Sequence, residues 1–131
     1  MIGALWSRRN VLASGAAIMA LPACAHGPEE ETAMYGLIGK FTAVEGERDR
    51  LMTILLEGIA GMPGCLSYIV ARDPADDTAI WITEVWDSKE SHAASLTLPS
   101  VQKAIQLGRP LIAGMDSIAE TQPVGGHGLA C

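Results

Sequence analysis

The amino-acid sequence predicts an α+β domain in which an antiparallel sheet carries two helical regions on one of its faces. Three observations support this class. The length of 131 residues permits one small domain. Hydrophobic residues alternate along residues 34–44 and recur at spacings of three and four along residues 47–60, as in a strand followed by a helix. The whole order is strand-helix-strand-strand-helix-strand, which is the ferredoxin-like split βαβ (βαββαβ) arrangement.

The first strand and the first helix cover residues 34–60. Residues 34–44 predict a strand, because Lys40 is their only charge and alternate side chains share one face: Tyr35, Leu37, Gly39, Phe41 and Ala43. Residues 47–60 predict a helix that begins with acidic residues and carries one apolar stripe, formed by Leu51, Ile54, Leu55 and Ile59. A Gly-Met-Pro-Gly sequence at residues 61–64 ends this helix.

The next two strands are predicted to pair as an antiparallel hairpin. Residues 65–72 and residues 78–86 both favour strands, and the second of them is dense in Ile, Trp, Thr and Val. The polar segment 73–77 between them is typical of a turn. A short polar connection of this kind favours antiparallel pairing.

The second helical region and a last strand complete the pattern. Asp87-Ser88 is predicted to cap a helix over residues 89–96. A further helix is predicted from Pro99 to residue 113, with a kink at Arg109-Pro110. Residues 115–124 then predict a strand. Both helices lie on one face of the sheet, so we expect a second copy of the chain to cover the other face as a homodimer.

The N-terminal 25 residues predict an export signal. Arg8 and Arg9 precede an apolar run over residues 11–23 that is too short to span a bilayer as a helix. Ser7, both arginines and Leu12 resemble the twin-arginine export signature, and a Sec signal that begins with two arginines is the alternative. A bacterial periplasmic or other extracytoplasmic location follows in either case.

The end of this signal has two interpretations. The sequence Leu-Pro-Ala-Cys at residues 21–24 resembles a lipobox, which would place a lipid on Cys24 and anchor a mature lipoprotein to a membrane. The alternative is ordinary cleavage after Ala25. Contact with a membrane is expected only through the lipid on Cys24.

The charge of the remaining chain excludes one large class of partner. From Ala25 onward, 7 lysine and arginine residues face 15 aspartate and glutamate residues, which gives this part a net charge of −8. A nucleic-acid partner is not expected, because no basic face could neutralise phosphates. Residues 26–33 predict a flexible acidic leader, residues 34–124 the domain, and residues 125–131 a Gly-rich tail.

Residues capable of chemistry are sparse in this domain. Three cysteines, of which Cys131 is the last residue, show no spacing for zinc, and no metal site is expected. Trp86 and His92 fall six residues apart, across the end of a strand and the start of a helix, where pockets for small ligands often open. Core packing of Trp86 and solvent exposure of His92 are the alternatives. Glu84 is a carboxylate in an otherwise apolar strand, and a charge at the strand edge, a salt-bridge partner and a polar group of a pocket are its three interpretations.

Three motifs resemble the antibiotic biosynthesis monooxygenase family, over residues 34–124. They are Gly64-Cys65-Leu66, the stretch Glu84-Val85-Trp86-Asp87-Ser88-Lys89-Glu90-Ser91-His92, and Pro99-Ser100-Val101-Gln102. The resemblance implies a ferredoxin-like domain that pairs into a dimeric α+β barrel. It also implies oxidation of quinols, hydroquinones or anthrones by O2 with no cofactor.

The resemblance also implies candidate site residues. The Trp, Tyr and Asn of the aromatic-polyketide branch correspond here to Trp86, His92 and Ile82, and a second histidine of many relatives corresponds to Ser95. Ile82 cannot hydrogen-bond a substrate carbonyl. The Asn, Trp and His of the haem-degrading branch correspond to Gly39, Ser95 and Ile105, which argues against that activity.

We therefore expect an exported, cofactor-independent monooxygenase that acts on a quinol or phenolic aromatic and O2. His92 is the expected base and Trp86 the second catalytic candidate, while Tyr68, Ile82 and Glu84 are expected to contact the substrate. The alternative is a non-catalytic periplasmic protein on the same dimeric barrel that binds a small apolar or aromatic ligand. A structural lipoprotein is a third interpretation, which rests on Cys24 alone.

Overall fold

The computed structural model describes residues 33–129. The predicted export signal, with Cys24, lies outside the described residues, as do residues 26–32 of the leader and Cys131. None of the helices within residues 33–129 is both long and apolar enough to cross a membrane. The elements in chain order are β1 (Tyr35–Ala43), α1 (Arg48–Gly58), β2 (Cys65–Arg72), β3 (Ala79–Trp86), α2 (Lys89–Ser95), α3 (Pro99–Gly108), a 3-10 turn (Arg109–Leu111) and β4 (Ile112–Thr121).

One antiparallel sheet organises the domain, in the order β2-β3-β1-β4. β1 lies at its centre and pairs with both β3 and β4, while β2 pairs with β3 as the predicted hairpin. The α+β class and the βαββαβ ferredoxin-like order are therefore confirmed. The register places Glu84 of β3 between Leu37 of β1 and Tyr68 of β2.

The helices bury one face of this sheet in two adjoining clusters. The first cluster joins the start of α1 to the middle of the sheet, through Leu51, Met52, Ile80, Ile82 and Leu111. The second cluster lies at the other end of the sheet, where Tyr35, Met62 and Trp86 pack together. Both depend on strand alternation, because every second side chain of β1 and β3 points towards the helices. Trp86 is 1% exposed and anchors the second cluster.

No helix of residues 33–129 lies on the opposite face of the sheet. Ile38, Thr83 and Ile69 lie side by side across three strands on this face. Ile69 is 55% exposed, whereas its neighbours Tyr68 and Val70 pack against the core. Trp81 also lies here, and its Nε1–H donates to the Asp73 carboxylate at 2.9 Å.

The predicted end of the last helix is wrong. The helix predicted to reach residue 113 ends at Gly108, and Arg109–Leu111 forms a 3-10 turn instead of a kinked continuation. Pro110 explains the change, because it has no backbone N–H to donate to the carbonyl four residues earlier and its ring crowds that carbonyl. β4 consequently begins at Ile112 rather than at residue 115, and it ends at Thr121, two residues before Pro123.

Candidate active site

A cavity of about 540 Å³ opens between the sheet and the helices. Its volume lies in the range of small-ligand sites. Most of the lining is apolar and includes Leu37, Phe41, Leu55, Ile59, Met62, Val101, Ile105, Ile112 and Met115. The polar or amphipathic lining residues are few: Tyr68, Glu84, Trp86, His92, Ser95 and Arg109. Such a lining suits an apolar or aromatic molecule with one or two polar groups.

The chain brings three of these residues together over a short distance. Glu84 and Trp86 are two residues apart on β3, so both side chains point to the helix side of the sheet. β3 ends at Trp86, and Ser88 caps the following helix by accepting a hydrogen bond from the Ser91 backbone N–H at 3.1 Å. This cap starts α2 at Lys89 and places His92 beside the end of the sheet.

Glu84 is the centre of the polar contacts in the cavity. Its Oε2 accepts a hydrogen bond from the Trp86 Nε1–H at 2.8 Å. The same Oε2 lies 3.8 Å from His92 Nε2, and the two side chains are only 14% and 22% exposed. The distance is too long for a direct hydrogen bond but short enough for a carboxylate to attract an imidazolium.

Burial opposes the charge of this carboxylate. Loss of hydration raises the pKa of Glu84, while the hydrogen bond from Trp86 and the nearby His92 act in the opposite direction. Burial, with the Glu84 carboxylate as a second cause, also raises the pKa of Tyr68. Tyr68 therefore keeps a neutral hydroxyl, which can donate a hydrogen bond inside the cavity.

Aromatic rings and a serine fix the position of His92. The imidazole lies 5.4 Å from the Trp86 ring in an edge-on arrangement and 5.4 Å from the Tyr35 ring in a tilted one. The Ser95 hydroxyl donates to the His92 backbone carbonyl at 2.6 Å. Lys89, which pairs with Glu120 at 3.1 Å, lies over the outer face of Tyr35. His92 is thus held in a partly buried cage with its Nε2 directed towards Glu84.

Four of the five candidate site residues named from the sequence line this one cavity. They are Tyr68, Glu84, Trp86 and His92. The fifth, Ile82, is not among the cavity-lining residues. It is 3% exposed and packs in the core with Leu51 and Ile80. Ile82 does share the helix side of β3 with Glu84, but α1 covers it.

Two residues of the site region do not stand out in the sequence. Tyr35 pairs with Trp86 across β1 and β3, and only the strand register reveals that it reaches His92. Arg109 lines the cavity where α3 ends. The sequence signal that could have found Arg109 is Pro110, because a proline that ends the helix turns the chain back towards the sheet at this point.

Cys65 and the acidic residues do not form a metal-binding group. Within residues 33–129, no cluster of three or more His, Cys, Asp or Glu side chains is close enough to hold an ion. Burial, and secondly the Glu84 carboxylate, raise the pKa of the Cys65 thiol. Cys65 packs against the Trp86 cluster and keeps its proton at neutral pH, so it acts as a small apolar residue.

Comparison with known proteins gives a family match over most of the described domain. Residues 34–107 match the sequence profile of the family described as antibiotic biosynthesis monooxygenase. No curated protein matches the chain.

Solved structures share the same architecture. A protein from Chloroflexus aurantiacus J-10-fl that is named for this family is 67% identical, with a TM-score of 0.73 over 75% of this chain and 100% of its own. A protein from Caulobacter crescentus CB15, also named for this family, is 17% identical over 72% of this chain and 92% of its own, with a TM-score of 0.65. PA3566 from Pseudomonas aeruginosa is 17% identical over 73% and 99%, also with a TM-score of 0.65. The last two likenesses concern the fold alone.

Proposed function

Because the chain belongs to the antibiotic biosynthesis monooxygenase family, we propose that it is an exported, cofactor-independent monooxygenase that oxidises a quinol or phenolic aromatic with O2. The observation that carries this proposal is the pairing of His92 with Glu84 inside a mostly apolar cavity. A base in a water-poor pocket is what conversion of a phenol to a phenolate requires.

Proton removal is the first step of this mechanism. His92 Nε2 accepts the phenolic proton, and the imidazolium that forms lies 3.8 Å from the Glu84 carboxylate, which stabilises it. Glu84 keeps this position because its Oε2 is already hydrogen-bonded to Trp86.

Electron transfer to O2 is the second step. The phenolate gives one electron to O2, and the resulting aryloxyl radical and superoxide combine at a ring carbon to form a peroxide. The proton held by His92 returns to this peroxide and gives a hydroperoxide. Its O–O bond then breaks as the hydrogen on the same ring carbon is lost, which releases water and leaves one oxygen atom in the quinone product. The substrate supplies all four electrons that reduce O2, so the reaction needs no further reductant.

The remaining cavity residues hold the ring and exclude water. Tyr68 offers an aromatic face for stacking, and its hydroxyl stays protonated and can donate to a substrate oxygen. Trp86 is only 1% exposed, so its part is to hold the Glu84 carboxylate through its Nε1–H. Apolar residues around them, such as Leu55 and Val101, limit the entry of water to the radical pair.

Assembly and location belong to the same proposal. A homodimer that joins the helix-free faces of two sheets would cover Ile69 and its neighbours. The twin-arginine motif at Arg8 and Arg9 supports export to the periplasm. The mature N-terminus is then either free after Ala25 or lipid-anchored at Cys24.

A binding protein without catalysis is the second candidate, and two residues favour it. Ile82, at the position of a substrate-binding Asn, is buried in the core instead of facing the cavity. Ser95, at the position of a second histidine, uses its hydroxyl on the His92 backbone carbonyl. Neither residue can supply the polar group that the family resemblance implies.

Oxygen uptake by His92 variants separates these candidates. His92→Ala and His92→Gln are expected to slow oxidation of a hydroquinone and naphthol panel by about 100-fold or more, the size of a lost general base. His127→Gln, which changes an exposed histidine in the tail, is the matched control and should keep the rate. Equal rates in wild type and both His92 variants would remove His92 from the mechanism. Ligand-induced thermal stabilisation with no oxidised product would favour the binding protein.

A further inference from the structure

Most cations of the described domain are already engaged by its own acidic or aromatic groups. Residues 33–129 contain seven lysine and arginine residues, and five of them contact a carboxylate, a backbone carbonyl or an aromatic ring. These contacts are Arg50 with Glu47, Arg72 with Asp49, Lys89 with Glu120, Arg48 with the carbonyls of Asp73 and Asp76, and Lys40 over the Trp81 ring.

Lys103 and Arg109 are the two exceptions in the described part of the chain. Neither side chain has an ion pair or a hydrogen bond to another of these residues. Both line one surface groove along α3, together with Pro99, Gln102, Ile105 and Gln106. Within residues 33–129 no carboxylate lines the groove, although acidic residues outnumber basic ones in this chain, 15 against 9. The groove is therefore a local cationic site on an acidic protein.

This cationic groove adjoins the catalytic cavity. Arg109 and Ile105 line both spaces, so Arg109 lies where the groove meets the cavity. The single carboxylate in the cavity lining, Glu84, belongs instead to the polar group around Trp86 and His92. The cavity thus carries a base with its carboxylate in one part and a cation with no acidic partner in another.

We infer that the substrate is an acidic aromatic, whose anionic substituent binds Arg109 and Lys103 while its phenolic ring occupies the cavity. This inference rests on the proposed function and specifies the substrate class. A planar guanidinium suits a carboxylate, to which it can donate two parallel hydrogen bonds. The surrounding negative charge of the protein disfavours an anion elsewhere, so these two cations also decide the orientation in which the molecule enters.

Redox-inert probes test this inference without requiring turnover. 2-Naphthoate and the neutral 2-naphthalenemethanol have the same ring system, and binding of each is measured by quenching of tryptophan fluorescence, since Trp86 lines the cavity. For mature wild-type protein, we expect 2-naphthoate to bind about five- to tenfold more tightly, as suits a partly exposed charge-assisted contact. The preference should shrink as salt is raised.

Variants identify the cations responsible. Arg109→Gln and Lys103→Gln should each reduce the ratio of the two affinities, and the double variant should bring it close to one. Arg72→Gln is the matched control, because Arg72 is exposed, pairs with Asp49 and lies outside the groove. It should leave the ratio unchanged.

Three outcomes would overturn the inference. One is equal affinity of the wild type for both probes, and another is an anion preference that survives in the double variant. The third is binding to phosphatidylglycerol vesicles that needs Lys103 and Arg109 with no preference for 2-naphthoate, which would assign the groove to lipid. Loss of the proposed oxidation chemistry alone would leave the probe preference intact, so the two proposals can fail separately.

Discussion

Among residues 33–129, Glu84 supplies the only carboxyl group that lines the cavity, and burial works against its charge. A carboxyl whose pKa is raised on folding holds its proton more tightly in the folded state than in the unfolded chain. The folded protein is therefore favoured at low pH, and this advantage is lost as the pH rises through the folded-state pKa. Near neutral pH the ionised Glu84 carboxylate lowers the free energy of unfolding, although it provides the negative charge beside His92.

Glu84→Gln should separate stability from activity. The amide removes the buried charge and can still accept the Trp86 N–H, so we expect a higher Tm than wild type at pH 8, with the difference closing towards pH 4. Oxidation should slow by about tenfold or more, because the His92 imidazolium loses its carboxylate. Thermal melts from pH 4 to 8 and oxygen uptake measure the two effects.

Glu120→Gln is the control for this substitution. Glu120 is exposed and pairs with Lys89 outside the cavity, so its loss should not produce the same pH-dependent gain. A lower Tm for Glu84→Gln than for wild type at pH 8 would show that the buried charge is not a cost.

The connection from α1 to β2 is the element that sets the position of the site. Gly64 has φ of +81°, and its carbonyl accepts a hydrogen bond from the Asp87 backbone N–H at 2.9 Å, which ties this turn to the end of β3. A Cβ at Gly64 would lie 2.6 Å from the Ser91 side chain and 2.7 Å from an Asp87 oxygen. Both neighbours belong to the segment that leads into His92.

Gly64→Ala compared with Gly46→Ala isolates the cost of that close contact. Gly46 has the same φ of +81°, but no atom lies within 4 Å of the position that a Cβ would occupy there, so its substitution should cost about 1 kcal/mol for the left-handed backbone alone. Gly64→Ala should cost about 1–3 kcal/mol more, because the new methyl group overlaps packed atoms. Urea denaturation of both variants measures the difference, and equal losses would contradict it.

The elements also show how far the sequence supports prediction. Alternation and helical spacing predict β1, α1 and the hairpin, and the Ser88 cap follows from local chemistry that the chain carries with it. The end of α3 does not follow, because Leu111 and Ile112 continue an apolar helical pattern although Pro110 stops the helix. The apolar spacing at this point favours a longer helix, but Pro110 cannot continue one, and the helix ends.

Strand alternation predicts part of the cavity lining. Strand alternation places Glu84 and Trp86 on one face, and the short distance to His92 keeps all three near each other. Alternation alone also places Ile82 on that face. Only the packing of α1 over the sheet shows that Ile82 belongs to a core cluster with Leu51, and helix placement depends on contacts distant in sequence.

At the scale of the whole molecule, the helix-free face of the sheet exposes apolar side chains that a second copy of the chain would bury. Ile38, Thr83 and Ile69 form a row across it, and Ile69 is 55% exposed. Ile69→Lys should place a charge in the proposed dimer interface and weaken association by about tenfold or more, since burying an unpaired charge is costly. Size-exclusion chromatography with light scattering over a dilution series measures the effect.

Leu56→Lys is the matched control for the dimer. Leu56 is 54% exposed but lies on α1, on the helix side of the sheet. The substitution should leave the mass distribution of the wild type unchanged. A wild-type protein that elutes as a monomer at every concentration, or an Ile69→Lys variant that dimerises as well as wild type, would contradict the proposed interface.

The arrangement of the cavity has an evolutionary consequence. The carboxylate, the indole and the imidazole all come from residues 84–92, a single stretch that crosses from β3 into α2. Arg109 lies seventeen positions further along the chain, beyond a separate helix. Mutation and selection can therefore alter which molecules enter the cavity by changing the end of α3, while the reactive groups are inherited as one block.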